Sequence, residues 1–218
     1  MLLQYASFDP LATQPEVPAA LRSTGQQRLW IVQFASRPTQ AGRDAIAANG
    51  GEVIGYVPSD SYVVRMSAKA AGAVRGIGVI RWVGSYHPAY RLEPALLANQ
   101  VYLQAEAAKY DIVVVNKHTD KPALIAKVKA LGGRVDDEQT GSLLLEVTLT
   151  GPQLLAVAGL DEVLWIDRWT PVGIDMDNAR IQGGGNYVQT QGGYTGTGVN
   201  AHIYEGVEAT HPDFTGGA

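Results

Sequence analysis

Short apolar runs and helical spacings follow one another along this chain in the same order twice. Leu29 to Phe34 and Ile112 to Val115 are hydrophobic runs closed by polar residues, the pattern of a buried strand. Thr39 to Asn49 and Lys121 to Leu131 carry helical spacing next. Asp120, with Pro122 close behind, reads as the N-cap of the later helix, and Gly50-Gly51 and Gly132-Gly133 offer the left-handed C-cap conformation. A hairpin follows each helix: Glu52 to Val57 with Ser61 to Met66, and Arg134 to Glu138 with Leu143 to Leu149. Ser67 and Thr150 then cap a second short helix that ends at Gly76 or Gly159. A last strand carries Trp82 or Trp165.

The recurrence is a duplication in tandem. Gly50-Gly51 returns as Gly132-Gly133 after 82 positions; Ser67, Gly76, Trp82 and Pro88 return as Thr150, Gly159, Trp165 and Pro171 after 83. Strand–helix–strand twice over in each copy is the ferredoxin-like βαββαβ plan, with two helices on one face of a four-stranded antiparallel sheet, so the fold class is α+β. The expected organisation is a flexible lead-in at 1–27, a first unit at 28–91, an amphipathic connecting helix at 92–109, a second unit at 110–172, and a linker with a glycine-rich tail at 173–218.

Composition narrows the chemistry. Across 218 residues, 46% hydrophobic and 17% charged, there is enough apolar side chain to build a core. A net charge of −4 supplies no field to attract phosphate, so no nucleic-acid partner is expected. No apolar run approaches the roughly 20 residues of a membrane helix, and no membrane partner is expected. Zero cysteines exclude disulfides, thiolate metal sites and a cysteine nucleophile. The opening residues have no basic residue before Arg22, and Gln4, Asp9, Pro10 and Pro15 interrupt their apolar positions, so a secretory signal is not expected in them.

The tail changes the picture. Gly193-Tyr194-Thr195-Gly196-Thr197-Gly198-Val199, then a short strand, an acid–glycine turn and His211-Pro212-Asp213-Phe214 resemble the start of the catalytic domain of subtilisin-like serine proteases. Ala179-Arg180-Ile181-Gln182 is similar to the segment preceding that turn. Propeptides of this family have the ferredoxin-like fold and act as folding chaperones and inhibitors of the enzyme they precede. The resemblance therefore implies two tandem propeptide-type units followed by the opening of an α/β subtilisin-like domain. It implies a subtilisin-like catalytic domain and its peptide or protein substrates as partners, and an extracellular or periplasmic location; no cofactor and no metal ion are expected on these residues. The second unit's sheet would dock on the enzyme, and the segment from about Asp167 to Asn178 would lie in the substrate cleft, with maturation cleavage in the same stretch. Without the sheet it belongs to, the tail from Asn178 is expected to lack order.

The pattern departs from the family where the chemistry sits. The family's aspartate, which orients the catalytic histidine, falls on Glu205, and Asp-Thr-Gly has become Glu205-Gly206, one residue shorter. Glu205 is either the counterpart of that triad acid or a solvent-exposed turn carboxylate. The His-Gly-Thr and Gly-Thr-Ser-Met-Ala motifs do not occur in these residues, nor does a Gly-x-Ser-x-Gly elbow. Lacking the histidine and serine of a triad, the chain as it stands is expected not to hydrolyse peptides.

The remaining signals read as structure. His87, His118, His202 and His211 are too scattered for a metal cluster, and Trp82 and Trp165 read as packing residues. The glycines of 193–198 precede an apolar run instead of following one, which rules out a dinucleotide fingerprint. Neither Val63-Val64-Arg65-Met66 nor Leu143-Leu144-Leu145-Glu146-Val147 has the aromatic and basic residues of an RNA-reading sheet. The alternative to the protease reading is a stand-alone ferredoxin-like interaction or inhibitor protein with no catalysis.

Overall fold

The computed structural model describes residues 1–171 and 181–200. The chain divides into two units, Met1–Thr170 and Pro171–Ala218. The larger one is mixed α+β. Its first half holds β1 (Leu29–Phe34), α1 (Gln40–Ala48), β2 (Glu52–Val57), β3 (Ser61–Arg65), α2 (Ala68–Arg75) and β4 (Ile80–Ser85). After a short α3 (Pro94–Ala98), the second half repeats the series as β5 (Ala108–Val114), α4 (Asp120–Ala130), β6 (Arg134–Asp137), β7 (Leu144–Leu149), α5 (Gly151–Ala158) and β8 (Val163–Arg168). Two four-stranded antiparallel sheets result, ordered β2-β3-β1-β4 and β6-β7-β5-β8. Even their irregularities match, since the register slips at Gln33/Phe34 and again at Val113/Val114, and at Val53/Gly55 and again at Val135/Asp137.

Local chemistry explains the elements. Thr39 Oγ1 accepts the Gly42 amide at 3.2 Å and Ser67 Oγ accepts that of Ala70 at 3.1 Å, each satisfying one orphan donor of a helix start. The Thr150 amide donates to Gln153 Oε1 at 2.8 Å in the same role. Gly50 and Gly132 leave α1 and α4 with φ of +82° and +79°, a conformation that favours glycine. The glycine after each lies against the helix it leaves: a Cβ on Gly51 would sit 2.6 Å from Ile46, and one on Gly133 3.0 Å from Val128, with Leu149 of β7 at 2.5 Å on the other side.

The two copies differ in how their sheets are buried. All six residues of β1 are buried, whereas β5 alternates, with only Tyr110, Ile112 and Val114 buried. In the first copy, Trp30, Val32, Phe34, Val64 and Met66 pack under α1 and α2 as a separate core. Leu29, Ile31 and Val63, on the opposite face, belong to the other core. That core includes Val17 and Leu21 of the lead-in, Tyr90, Leu92 and Leu96, and the interior of the second copy. A fully buried aliphatic side chain contributes roughly 1.5–3 kcal/mol, so this shared core binds the copies strongly.

Three sequence expectations need correction. Residues 1–27 are not a loose lead-in. Val17 and Leu21 are buried, the Met1 ammonium donates to the Phe8 carbonyl at 2.7 Å, and Arg81 Nη2 reaches Asp9 Oδ1 at 2.7 Å. Residues 92–109 are not one helix. α3 covers five residues, Gln100 takes the left-handed conformation (φ +49°) before a 3₁₀ turn at Val101–Leu103, and β5 has begun by Ala108. Asp120 is not the cap of α4. Asn116 Oδ1 instead accepts the amides of His118 and Thr119 at 2.8 and 3.1 Å, and the Asp120 carboxylate turns to Arg65 of the first copy, 2.5 Å from Nη2.

In the smaller unit, α6 (Gly185–Gly192) is a helix with no buried residue, so the expected lack of order does not hold for this stretch. Beyond it the Val199 amide donates to the Gly196 carbonyl at 3.0 Å, and Gly196 and Gly198 have φ of +77° and +81°. Both glycines of the Gly-Thr-Gly-Val stretch thus stand where a Cβ would strain the backbone. Among the described residues no helix is long and apolar enough to cross a membrane.

Candidate functional site: the open face of the second sheet

Pairing registers align the copies residue by residue. Ile31 lies between Val63 and Gly84, and Asp111 between Glu146 and Asp167. Glu146 is also opposite Asp137 of β6. Where the first sheet has Val63, Ile31 and Gly84 in a row, the second has four carboxylates, Asp137, Glu146, Asp111 and Asp167, one on each strand. Neighbours across an antiparallel sheet stand about 5 Å apart, and like charges placed so repel.

Partial neutralisation is built in. Lys109 Nζ is 2.7 Å from Glu146 Oε2 and 4.1 Å from the centroid of the Trp169 ring, which holds the ammonium between a carboxylate and an aromatic face. Gln139 Nε2 donates to Asp137 Oδ2 at 2.9 Å and to Glu146 Oε1 at 3.0 Å. Beside the row, Asp136 accepts from Thr148 Oγ1 and Arg134 Nε, each at 2.6 Å. Asp111 in the middle is the least served: its Oδ1 is buried with no hydrogen-bond partner among the described residues. Burial first, then the charges of Asp167 and Glu146, hold the Asp111 carboxyl above the usual carboxylate range; Lys109 opposes this. Asp167 is raised as well, mainly by burial, while a hydrogen bond from the Trp165 side chain pulls the other way. Val113, Leu144 and Trp165 lie half-buried on the same face and belong to neither core.

The signs give a pH dependence. A carboxyl whose folded pKa is raised binds its proton more tightly folded than unfolded, so it disfavours folding above the folded pKa and is relieved as pH falls through it. Asp9, Glu93 and Asp136 are lowered and act in the opposite sense, losing their stabilisation on acidification. Asp111→Asn separates the two contributions. The variant should melt above the wild type at pH 7.5, and its advantage should shrink as pH falls through the raised folded pKa and vanish below about pH 3, under the unfolded value of about 3.9, where Asp111 is protonated in both states. An advantage that is equal at both pH values, or absent at pH 7.5, would show that Asp111 is not held in repulsion.

The candidate catalytic residue Glu205 lies outside the described residues, as do His202, His211 and the segment 172–180. The other sequence candidates are structural. His87 is half-buried, its Nδ1 accepts the Ser23 amide at 2.9 Å, and its pKa is lowered by burial and then by Arg22 and Arg91. His118 is exposed at the edge of a cleft where Lys121 Nζ donates to the carbonyls of Gln139 and Ser142 at 2.9 and 3.1 Å. Those bonds clasp the β6–β7 loop onto α4. Among the described residues no three His, Asp or Glu side chains gather closely enough to hold a metal ion. Asp167 and Arg168, expected at the start of an extended tail, are still in β8, and Arg168 Nη2 is fixed to Glu93 Oε1 at 2.6 Å. Sequence reasoning missed the carboxylate row because its members lie far apart in the chain, and only strand register puts them side by side.

Residues 2–87 match a family described as a domain of unknown function (DUF8729). The matched span takes in the lead-in and the first copy together, consistent with the lead-in packing into the shared core. No curated protein matches the chain.

Proposed function

We propose that this chain is the pro-region and catalytic-domain start of a subtilisin-like serine endopeptidase, its two copies being tandem ferredoxin-like propeptide-type units. In this reading the second unit's sheet docks on the protease and inhibits it while assisting its folding. The observation that carries the reading is the pairing of two features. A sheet with one face outside either core is followed, within one short stretch of chain, by the Gly-Tyr-Thr-Gly-Thr-Gly-Val and His-Pro-Asp-Phe segments. The strand order with β5 and β7 at the centre supports it, because that order leaves β8 at an edge from which the chain can continue into a substrate cleft. Since β8 lasts to Arg168 and the Trp169 amide still bonds the Lys109 carbonyl at 3.2 Å, the cleft-filling segment begins after Trp169, and maturation cleavage falls between there and Asn178. An extended segment of this kind is held by backbone pairing and side-chain pockets. Glu205 takes the place of the triad aspartate in the catalytic domain. The active enzyme acts on peptide or protein substrates, and the site is extracellular or periplasmic.

The test is titration of the full chain into a subtilisin-like catalytic domain assayed with a chromogenic peptide. The expected outcome is saturable inhibition that competes with substrate. Full activity at a large molar excess of the chain favours the second reading, an interaction protein without a protease partner.

A further inference from the structure

Within the Met1–Thr170 unit, where the copies meet, lies a cleft of about 460 Å³, a size that takes a small molecule. Stretches far apart in sequence wall it. Leu2 comes from the lead-in, Tyr56 and Pro58 from the β2–β3 hairpin, Tyr90 from the 3₁₀ turn after β4, and Trp165 from β8 of the second copy. None of the residues lining it carries a charge. Leu2 and Tyr56 are each more than half exposed, and Trp165 is half-buried outside both cores. Folding of the unit thus leaves apolar side chains and ring faces turned to one cleft, the usual lining of a ligand site.

Tyr90 supplies a polar element. It is only 5% exposed, yet its hydroxyl has no hydrogen-bond partner among the described residues. Neighbouring phenols are engaged: Tyr86 Oη donates to the Leu164 carbonyl at 3.2 Å, and Tyr5 Oη to the Glu16 carbonyl at 2.5 Å. The rings of Tyr5 and His87, each centred 5.0 Å from that of Tyr90, hold the Tyr90 ring in place. Burial, with Tyr5 adding to it, pushes the Tyr90 pKa up to about 12, so at neutral pH the group is a donor. A buried donor left unpaired opposes folding, and it calls for an acceptor from outside the chain.

We propose that this cleft binds a small, flat, uncharged aromatic molecule whose hydrogen-bond acceptor meets the Tyr90 hydroxyl. The rings of Tyr56 and Trp165 offer faces and edges for a flat aromatic guest. An ion would lose its hydration there with no countercharge among the lining residues, which sets the ligand as neutral. Because the lead-in and both copies each supply a wall, the site exists only when all three are packed together, and an occupant stabilises that packing. The site is independent of the protease reading.

The test uses the full chain and Prodan, an uncharged fluorescent naphthyl ketone. Saturable binding at about 100 μM or tighter is expected, with ring-current shifts at the methyl groups of Leu2 and Val57. Tyr90→Phe removes the hydroxyl alone and should weaken binding about fivefold without lowering the melting temperature. Trp165→Ala should weaken it about tenfold or more. Anilinonaphthalene sulfonate, an anion with the same ring system, should fail to displace the probe. The proposal is overturned by a lack of saturable binding, by binding that neither substitution weakens, or by displacement by the sulfonate. A Tyr90→Phe variant that melts well below wild type also overturns it, because the hydroxyl would then be engaged within the chain.

Discussion

Arg91→Ala should destabilise the Met1–Thr170 unit by about 4 kcal/mol, the largest loss expected from any single side-chain truncation here. Arg91 is fully buried where the copies meet, and among the described residues no carboxylate forms an ion pair with it. Its guanidinium is held by carbonyls instead. Nη1 donates to Ala158 at 3.2 Å and Leu160 at 2.7 Å, Nη2 donates to Tyr86 at 2.9 Å, and the group sits 5.3 Å from the centroid of the Tyr86 ring. Burial pulls its pKa down to about 10, so it remains a cation at neutral pH and its desolvation opposes folding. Truncation removes that cost. It also strands the buried carbonyls of Ala158 and Tyr86, each worth about 1–3 kcal/mol, and opens a cavity the size of the side chain. The second effect is larger. Arg91→Met keeps much of the volume and should lose about half as much, whereas Arg91→Lys cannot reproduce the planar fork that serves both copies at once. Chemical denaturation of the three variants checks this, and an Ala variant within about 1 kcal/mol of wild type contradicts it.

Gly151→Ala should lower stability by about 3 kcal/mol and the melting temperature by roughly 10 °C. Its Cβ would fall 2.4 Å from the carbonyl oxygens of both Val101 and Gln104 and 2.8 Å from the Gln104 amide nitrogen. These are backbone atoms of the connecting segment, so no rotamer change relieves the clash. The connector must lift away from α5, breaking the bond from the Gly151 amide to the Gln104 carbonyl at 2.9 Å. The counterpart in the first copy is Ala68, where a Cβ is present. Ala68→Gly is the control, costing about 1 kcal/mol at most through backbone entropy. Equal effects at the two positions would mean that the connector does not rest on α5.

Much of the fold can be read from the sequence because its signals are local. Strand β1 carries a continuous apolar run, the glycines after α1 and α4 mark turns that need positive φ, and Ser67 bonds the amide its spacing anticipates. The signals fail where tertiary context decides. β5 begins at Ala108, earlier than its apolar run, because Lys109 and Asp111 alternate onto an open face and do not look like strand. Asp120 has the residue type and place of a cap and is drawn off by Arg65, 55 positions away. Leu92 to Lys109 has helical spacing, yet Leu96 and Tyr102 are buried on separate short turns, with Gln100 left-handed between them. Nothing local announces Arg91, since a buried arginine without an acid looks like any surface arginine until both copies are folded. At the site, the tail motif is legible as a linear pattern, whereas the carboxylate row exists only through register.

If this chain leads into a subtilisin-like protease, the reading frame of its gene past codon 218 stays open and carries a His-Gly-Thr motif followed by a Gly-Thr-Ser-Met-Ala motif, supplying the base and nucleophile to which Glu205 would belong; sequencing that stretch is the test. A frame that closes at once, or runs on without either motif, would contradict it.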